Sequence, residues 1–175
     1  GVKIDLLAAA CFRVANEKTG CGDMSNPWRF DPMFPANGFA VDSHNAHVQP
    51  SGSYHYHATP NALFSAETAV ESPVVGFAAD GFPIFGSWFN DNGAVRKAQS
   101  SYRLKSGDRA PVSGYPTPEG NYDGTYRQDY EYIDGFGDLD ECNGMQINGV
   151  YGYFITDTFP FILGCLKGQM DPSFQ

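Results

Sequence analysis

The segment that decides the local fold reads Asp42-Ser43-His44-Asn45-Ala46-His47-Val48-Gln49-Pro50-Ser51-Gly52-Ser53-Tyr54-His55-Tyr56-His57. It contains all four histidines of the chain. Histidine is the commonest metal-binding side chain, and its charge changes near neutral pH. The clustering therefore points to chemistry rather than to packing alone.

The centre of this segment has the residues of a tight β-hairpin. Pro50 presets φ at the second position of a type I turn, and Gly52 can take the left-handed conformation that follows. This is the pattern of a three-residue loop with a glycine bulge. The predicted register pairs Gln49 with Ser53, His47 with His55, and Asn45 with His57.

Side chains alternate along a strand, so this register divides the hairpin into two faces. Asn45, His47, His55 and His57 share the polar face. Ala46, Val48, Tyr54 and Tyr56 share the apolar face. Directly opposed Cβ atoms lie roughly 5 Å apart and diagonal ones roughly 7 Å, so three imidazoles can converge on one ion. His44 falls on the wrong face unless the strand bends.

The polar face is interpreted as a transition-metal site. Three neutral nitrogens suit Zn, Cu, Ni or Fe(II), with Cu or Zn preferred here, and they disfavour Ca and Mg. A fourth ligand could be His44, Asp42, Asp80 or water. Asp80 could equally be an acceptor that orients an imidazole. The alternative is a hydrogen-bonded polar face without an ion. The predicted metal residues are His47, His55, His57, His44 and Asp80.

Composition limits the remaining possibilities. The chain has 175 residues and a formal net charge of −9. Its length predicts one domain over residues 1–175, and its negative charge argues against a nucleic-acid partner. No stretch approaches the roughly 18 apolar residues of a membrane span. Because the chain starts without Met, we expect it to be the processed or ordered part of a longer precursor.

The four cysteines are predicted to form two disulfides. None forms a close Cys-x-x-Cys pair, which disfavours a thiolate zinc cluster. We expect Cys11–Cys21 and Cys142–Cys165, because each pair brackets a plausible loop. Disulfides indicate an oxidising compartment, whereas four buried free thiols in the cytosol are the alternative.

The fold is predicted to be mainly β or loop-rich α+β, a single disulfide-stabilised domain with few short helices. Hydrophobic periodicity suggests one helix over residues 4–14, and Thr59 and Pro60 suggest another over 60–69. Strands are expected at 39–48, 53–57, 74–77, 83–89, 126–133 and 150–154, with a short extended piece at 159–163. Residues 105–124 are expected to be a long loop.

Four sequence blocks occur in a specific order. They are Ser53-Tyr54-His55-Tyr56-His57, Gly76-Phe77-Ala78-Ala79-Asp80-Gly81-Phe82-Pro83-Ile84-Phe85-Gly86, Gly137-Asp138-Leu139-Asp140-Glu141-Cys142-Asn143-Gly144, and the segment from Tyr153 to Cys165. Together they resemble the YHYH-domain family over nearly the whole chain. That resemblance implies an extracytoplasmic domain, and it implies no particular activity. The carboxylates of the later blocks, including Asp157, are expected mainly to cap turns.

Three functions remain open from the sequence. The first, which we favour, is a secreted, periplasmic or cell-surface metal-binding protein. The second is a metal-dependent enzyme, either a hydrolase or a copper oxidoreductase. The third is a structural subunit of an extracellular assembly or fibre, since an aromatic content of 15% suits self-association through an aromatic surface as well as a core.

Overall fold

The computed structural model describes residues 1–5, 8, 10–14, 20–23 and 25–174, and within them the regular structure is mainly β. The strands are β1 (Lys3–Ile4), β2 (Ala46–Val48), β3 (Tyr54–Tyr56), β4 (Val74–Phe77), β5 (Pro83–Phe85), β6 (Trp88–Asp91), β7 (Ala94–Lys97), β8 (Tyr102–Leu104), β9 (Tyr130–Tyr132), β10 (Gly144–Ile147) and β11 (Val150–Phe154). Short 3-10 turns cover Pro35–Asn37, Arg127–Asp129 and Pro172–Phe174. The predicted fold class is confirmed.

The strands form four small sheets. The first has the order β1-β3-β2, with β1 parallel to β3 and β2 antiparallel to it. The second has the order β10-β11-β5-β4 and is mixed, because β11 runs parallel to β5. β6–β7 and β8–β9 are separate antiparallel pairs. The first sheet contains His47 in β2 and His55 in β3.

Apolar side chains pack in three clusters. Ile84, Tyr153, Ile155 and Ile162 are almost fully buried in the first cluster. Trp28, Phe30 and Tyr126 form the centre of the second. Phe89, Leu139, Ala98 and Phe154 form the third. Burial of such large side chains stabilises a domain that has little regular secondary structure.

Both predicted disulfides are present. Cys11 bonds to Cys21, and Cys142 bonds to Cys165. The first closes a loop near the N-terminus and the second ties the segment after β11 to the β9–β10 connection. Within the described ranges, no cysteine is free.

Most predicted strands are present but shorter than expected. Strands at 74–77 and 150–154 are confirmed, and the loop at 105–124 carries no strand. The strand predicted at 83–89 is interrupted at Gly86, where an added Cβ would meet Ser72 at 2.6 Å. The piece at 159–163 is a turn rather than extended, with a cis peptide between Phe159 and Pro160.

The strand predicted at 126–133 is also only partly correct. Arg127–Asp129 is a 3-10 turn, and extended structure begins at Tyr130. The buried Asp129 carboxylate accepts backbone hydrogen bonds from Gly124 at 3.1 Å and from Tyr126 at 3.2 Å. These bonds curl the chain before the strand starts.

The two predicted helices are wrong where the structure describes them. In the first, Ile4 belongs to β1 and Cys11 forms a bridge with Arg29, whereas residues 6, 7 and 9 lie outside the described residues. Residues 60–69 form turns and bends. The Thr59 hydroxyl donates to the Thr156 carbonyl at 3.4 Å instead of capping a helix. Short isolated helices are marginal, so long-range pairing decides both segments.

Candidate metal centre

The hairpin has the predicted turn and register. The Gly52 amide donates to the Gln49 carbonyl at 2.8 Å, and the Gln49 amide donates to Ser53 at 2.9 Å. Gly52 has a φ of 85°, the left-handed value that glycine adopts without strain. His47 lies opposite His55.

Pairing continues past the end of β2 at Asn45. The His57 amide donates to the Asn45 carbonyl at 2.8 Å, although Asn45 itself has a φ of 61°. The Asn45 side chain donates to the Thr59 carbonyl at 2.8 Å and holds this bend. His57 is thereby kept on the same face as His47 and His55, as predicted.

The three imidazoles converge through the same ring atom. Nε2 of His47 lies 3.1 Å from Nε2 of His55 and 3.1 Å from Nε2 of His57, and the latter two atoms are 3.0 Å apart. The rings meet edge to face, with centroids 4.6–4.8 Å apart. His55 and His57 are buried, and His47 is half-buried.

The backbone fixes the proton on His57. Its Nδ1 lies 2.8 Å from the carbonyl oxygen of Asp5, which follows β1. A carbonyl oxygen only accepts, so Nδ1 carries the hydrogen and Nε2 of the neutral ring presents its lone pair. Nδ1 of His55 makes a longer contact, 3.4 Å, with the Ser53 carbonyl, which favours the same tautomer. Burial, reinforced by His55 and His47, lowers the pKa of His57 to about 4, although the bond to Asp5 opposes this.

Lone pairs directed at one another at 3.0 Å repel unless a proton or a metal cation lies between them. Three nitrogens each 2.0–2.1 Å from one ion are separated by about 2.9 Å at right-angle coordination and by about 3.4 Å in a tetrahedron. The observed 3.0–3.1 Å lies between these values. The three nitrogens could therefore hold a metal ion, and three protein ligands leave further coordination positions for other groups.

His44 and Asp80 are not part of this group. Among the described residues, the potential ligand group with atoms within 4.8 Å of one another comprises His47, His55 and His57. The backbone amide of His44 donates to the Asp42 carboxylate at 2.8 Å, and its Nδ1 is buried without a partner. The geometry thus supports three of the five predicted ligands.

Asp80 has a structural role at the turn between β4 and β5. Its Oδ2 accepts the Tyr153 hydroxyl at 2.5 Å and the Gly168 amide at 2.9 Å. Burial acts to raise its pKa, but these hydrogen bonds outweigh that effect and hold the pKa below the usual value. Asp80 thereby attaches the C-terminal segment to the second sheet.

The acidic residues of the third and fourth blocks also have structural partners. Asp138 accepts two hydrogen bonds from Arg96, at 2.7 and 2.8 Å. Asp140 accepts the amides of Cys142 and Gly144 at 3.0 Å each, and Asp157 pairs with Lys97. Turn capping is confirmed for Asp140, whereas Asp138 and Asp157 mainly form ion pairs.

His57 helps to line a small cavity, and two other residues of its wall were not singled out as functional from the sequence. It has a volume of about 20 Å³, and Asp31 and Arg127 contribute to its lining. This is room for about one water molecule. Burial raises the pKa of Asp31 to about 6. The one sequence signal was that Asp31 stands between Phe30 and Pro32 in an apolar, aromatic stretch.

Comparison with known proteins places the chain in a family. Within the described ranges, no helix has the length and apolarity needed to cross a bilayer. No curated protein and no solved structure matches the chain. The family model described as YHYH protein matches residues 1–168. The chain, whose histidine hairpin contains Tyr54-His55-Tyr56-His57, therefore belongs to the YHYH protein family.

Proposed function

We propose that this chain is an extracytoplasmic metal-binding protein that holds one Cu or Zn ion through Nε2 of His47, His55 and His57. The observation that carries the proposal is the convergence of the three Nε2 atoms at 3.0–3.1 Å. The bond from His57 Nδ1 to the Asp5 carbonyl supports it, because such a bond orients a metal-binding imidazole.

The donor set supports the choice of metal. Imidazole nitrogen suits Zn and Cu, whereas Ca and Mg prefer oxygen ligands. The two disulfides support an extracellular, periplasmic or cell-surface location, because such bonds persist in oxidising compartments.

The test is metal content after purification without added metal and again after loading with zinc or copper. We expect about one ion per chain for the wild type and for His44→Ala, and a small fraction of that for His55→Ala. His44→Ala is the matched control, because His44 lies in the same segment but outside the ligand group. The proposal fails if neither metal reaches near-stoichiometric amounts in the wild type.

A second candidate function is metal-dependent hydrolysis. The supporting observation is the cavity that Asp31 shares with His57, since a buried carboxyl with a raised pKa can carry protons near neutral pH. Ester hydrolysis that needs the metal and falls in Asp31→Asn, with metal content unchanged, would favour this function over passive binding.

Self-association through an aromatic surface remains a prediction. Phe77, Phe136 and Phe174 are exposed aromatic side chains that would suit such contacts. Sedimentation at several protein concentrations tests it, and a strictly monomeric species at all concentrations would argue against an assembly subunit.

A further inference from the structure

An open groove lies along β8 and β9, on residues that the metal centre does not use. The segment 97–100, strand β8 and residues 157–159 form its walls. Its volume is about 600 Å³, within the range of roughly 300–1,000 Å³ typical of small-molecule sites. The groove is therefore large enough for a ligand that contains several rings.

Three aromatic residues in the wall of the groove pack against one another. Tyr130 and Phe159 stack in parallel, with centroids 4.1 Å apart and an interplanar angle of 2°. Tyr102 packs edge-on against Phe159 at 5.3 Å. These contacts hold the rings in place before any ligand arrives, which reduces the entropy lost on binding.

Phe136 adds a ring that is free to meet a ligand. It is 56% exposed, although it follows a turn in which its amide donates to the Ile133 carbonyl at 3.1 Å. Packing within the chain does not account for an apolar ring that is held on an anchored turn and yet is exposed. It offers an apolar face at the edge of the groove.

The charged groups of the groove are neutralised in pairs. Lys97 pairs with Asp157 at 2.8 Å, and Arg103 pairs with Glu131 at 3.0 Å. Each pair offers both donors and acceptors to a ligand without an excess of either charge. Such a surface, on a chain of net charge −9, favours a neutral ligand over an anionic one.

We propose that this groove binds a neutral carbohydrate chain. A sugar ring has an apolar C–H face that packs on aromatic rings, and its hydroxyls both donate and accept hydrogen bonds. The paired charges and the rings match these two properties. Binding here is separate from metal binding, so either activity can exist without the other.

A proline-rich peptide is the main alternative occupant of an aromatic groove. A polyproline helix presents carbonyl acceptors, so its grooves need side-chain donors. The Tyr102 hydroxyl is already donated to the Glu141 carbonyl at 2.8 Å, and the Ser100 hydroxyl is donated to the Phe159 carbonyl at 2.7 Å. The charged donors left to a ligand belong to Lys97 and Arg103, each of which lies beside a carboxylate acceptor. Such donor–acceptor pairs suit hydroxyls, which both donate and accept, better than peptide carbonyls, which only accept.

Affinity electrophoresis tests the proposal, with the wild-type protein run in native gels that contain hydroxyethylcellulose, xylan, galactomannan or a soluble β-1,3-glucan. We expect at least one of these neutral polysaccharides to retard migration. Phe136→Ala should weaken that binding about tenfold, the effect of losing a ligand contact worth about 1.4 kcal/mol. Arg103→Gln should weaken it too.

Phe77→Ala is the matched control, because Phe77 is 70% exposed on β4 and does not line this groove. It should bind like the wild type, and unchanged thermal melting should confirm that all variants are folded. Failure of all four polysaccharides to retard the protein overturns the proposal. Equal retardation of Phe136→Ala and wild type does so too, as does Phe136-dependent binding of poly-L-proline instead.

Discussion

Zinc is expected to raise the melting temperature of the chelator-treated protein through the three histidines. His55 and His57 are 1% and 5% exposed, so the ligand group exists only in the folded chain. An ion that binds only the folded state at 100 times its dissociation constant stabilises it by about 2.7 kcal/mol. A domain of this size melts about 2–4 °C higher per kcal/mol, so the expected shift is about 5–11 °C.

Removing one ligand should remove most of this shift. If His55→Ala weakens zinc binding about 100-fold, the same zinc concentration stabilises the protein by only about 0.4 kcal/mol, or about 1 °C. His44→Ala should keep the full shift, because His44 is outside the ligand group. The comparison uses the zinc-induced shift of each variant, since removal of the buried His55 ring also lowers the starting melting temperature.

Differential scanning fluorimetry with and without zinc measures these shifts, and copper, nickel and cobalt extend the test to other ions. The reasoning is refuted if none of the four ions shifts the wild type. It is equally refuted if His55→Ala responds as the wild type does while His44→Ala loses the response.

Three further predictions concern stability, each measured by urea unfolding. The raised pKa of Asp31, about 6 against an ordinary 3.8, means that its contribution to stability is complete below pH 3.8 and is lost as the pH rises through 6. Asp31→Asn should therefore stabilise the protein by up to about 3 kcal/mol at pH 7 and hardly at all at pH 3.5; equal effects at both pH values would contradict this. Asp129→Ala should cost about 3 kcal/mol, because the buried Arg109 side chain then keeps only the exposed Asp123 carboxylate and the Glu119 carbonyl as partners. Glu131→Ala, at an exposed pair, should cost about 1 kcal/mol or less; similar losses would argue against the burial argument. Gly137→Ala should cost about 1–3 kcal/mol, because the added Cβ would lie 2.5 Å from a backbone carbonyl oxygen. Gly76→Ala, whose Cβ would have open space around it, should cost less. Equal losses of stability for the two variants would contradict this prediction.

Local chemistry made the histidine hairpin predictable. Pro50 and Gly52 specify a turn from residues within the loop itself, and the alternation of a strand then assigns every histidine to a face. The structure confirms the register, and it leaves His44, which was also a predicted ligand, outside the group of three histidines. The two disulfide pairs were predicted from equally local information, because each pair of cysteines brackets a plausible loop.

Helix prediction was wrong because local preference was weaker than distant contacts. Thr59 is a good capping residue by type, yet its hydroxyl binds Thr156 at the far end of the chain. Cys11 pairs with Arg29 and bonds to Cys21. Such contacts depend on which segments become neighbours after folding, which helical periodicity does not encode.

The sequence by itself determined that His47, His55 and His57 share one face of a hairpin, because the turn and the two-residue period of a strand act over a few neighbouring residues. Only the tertiary structure decided how they are oriented. It places the Asp5 carbonyl against Nδ1 of His57, and it buries Asp31 in the wall of a cavity that His57 also lines. Both arrangements bring together segments far apart in the chain. Burial, which is the main cause of the shifted pKa values of His57 and Asp31, is a property of the packed molecule rather than of any local stretch.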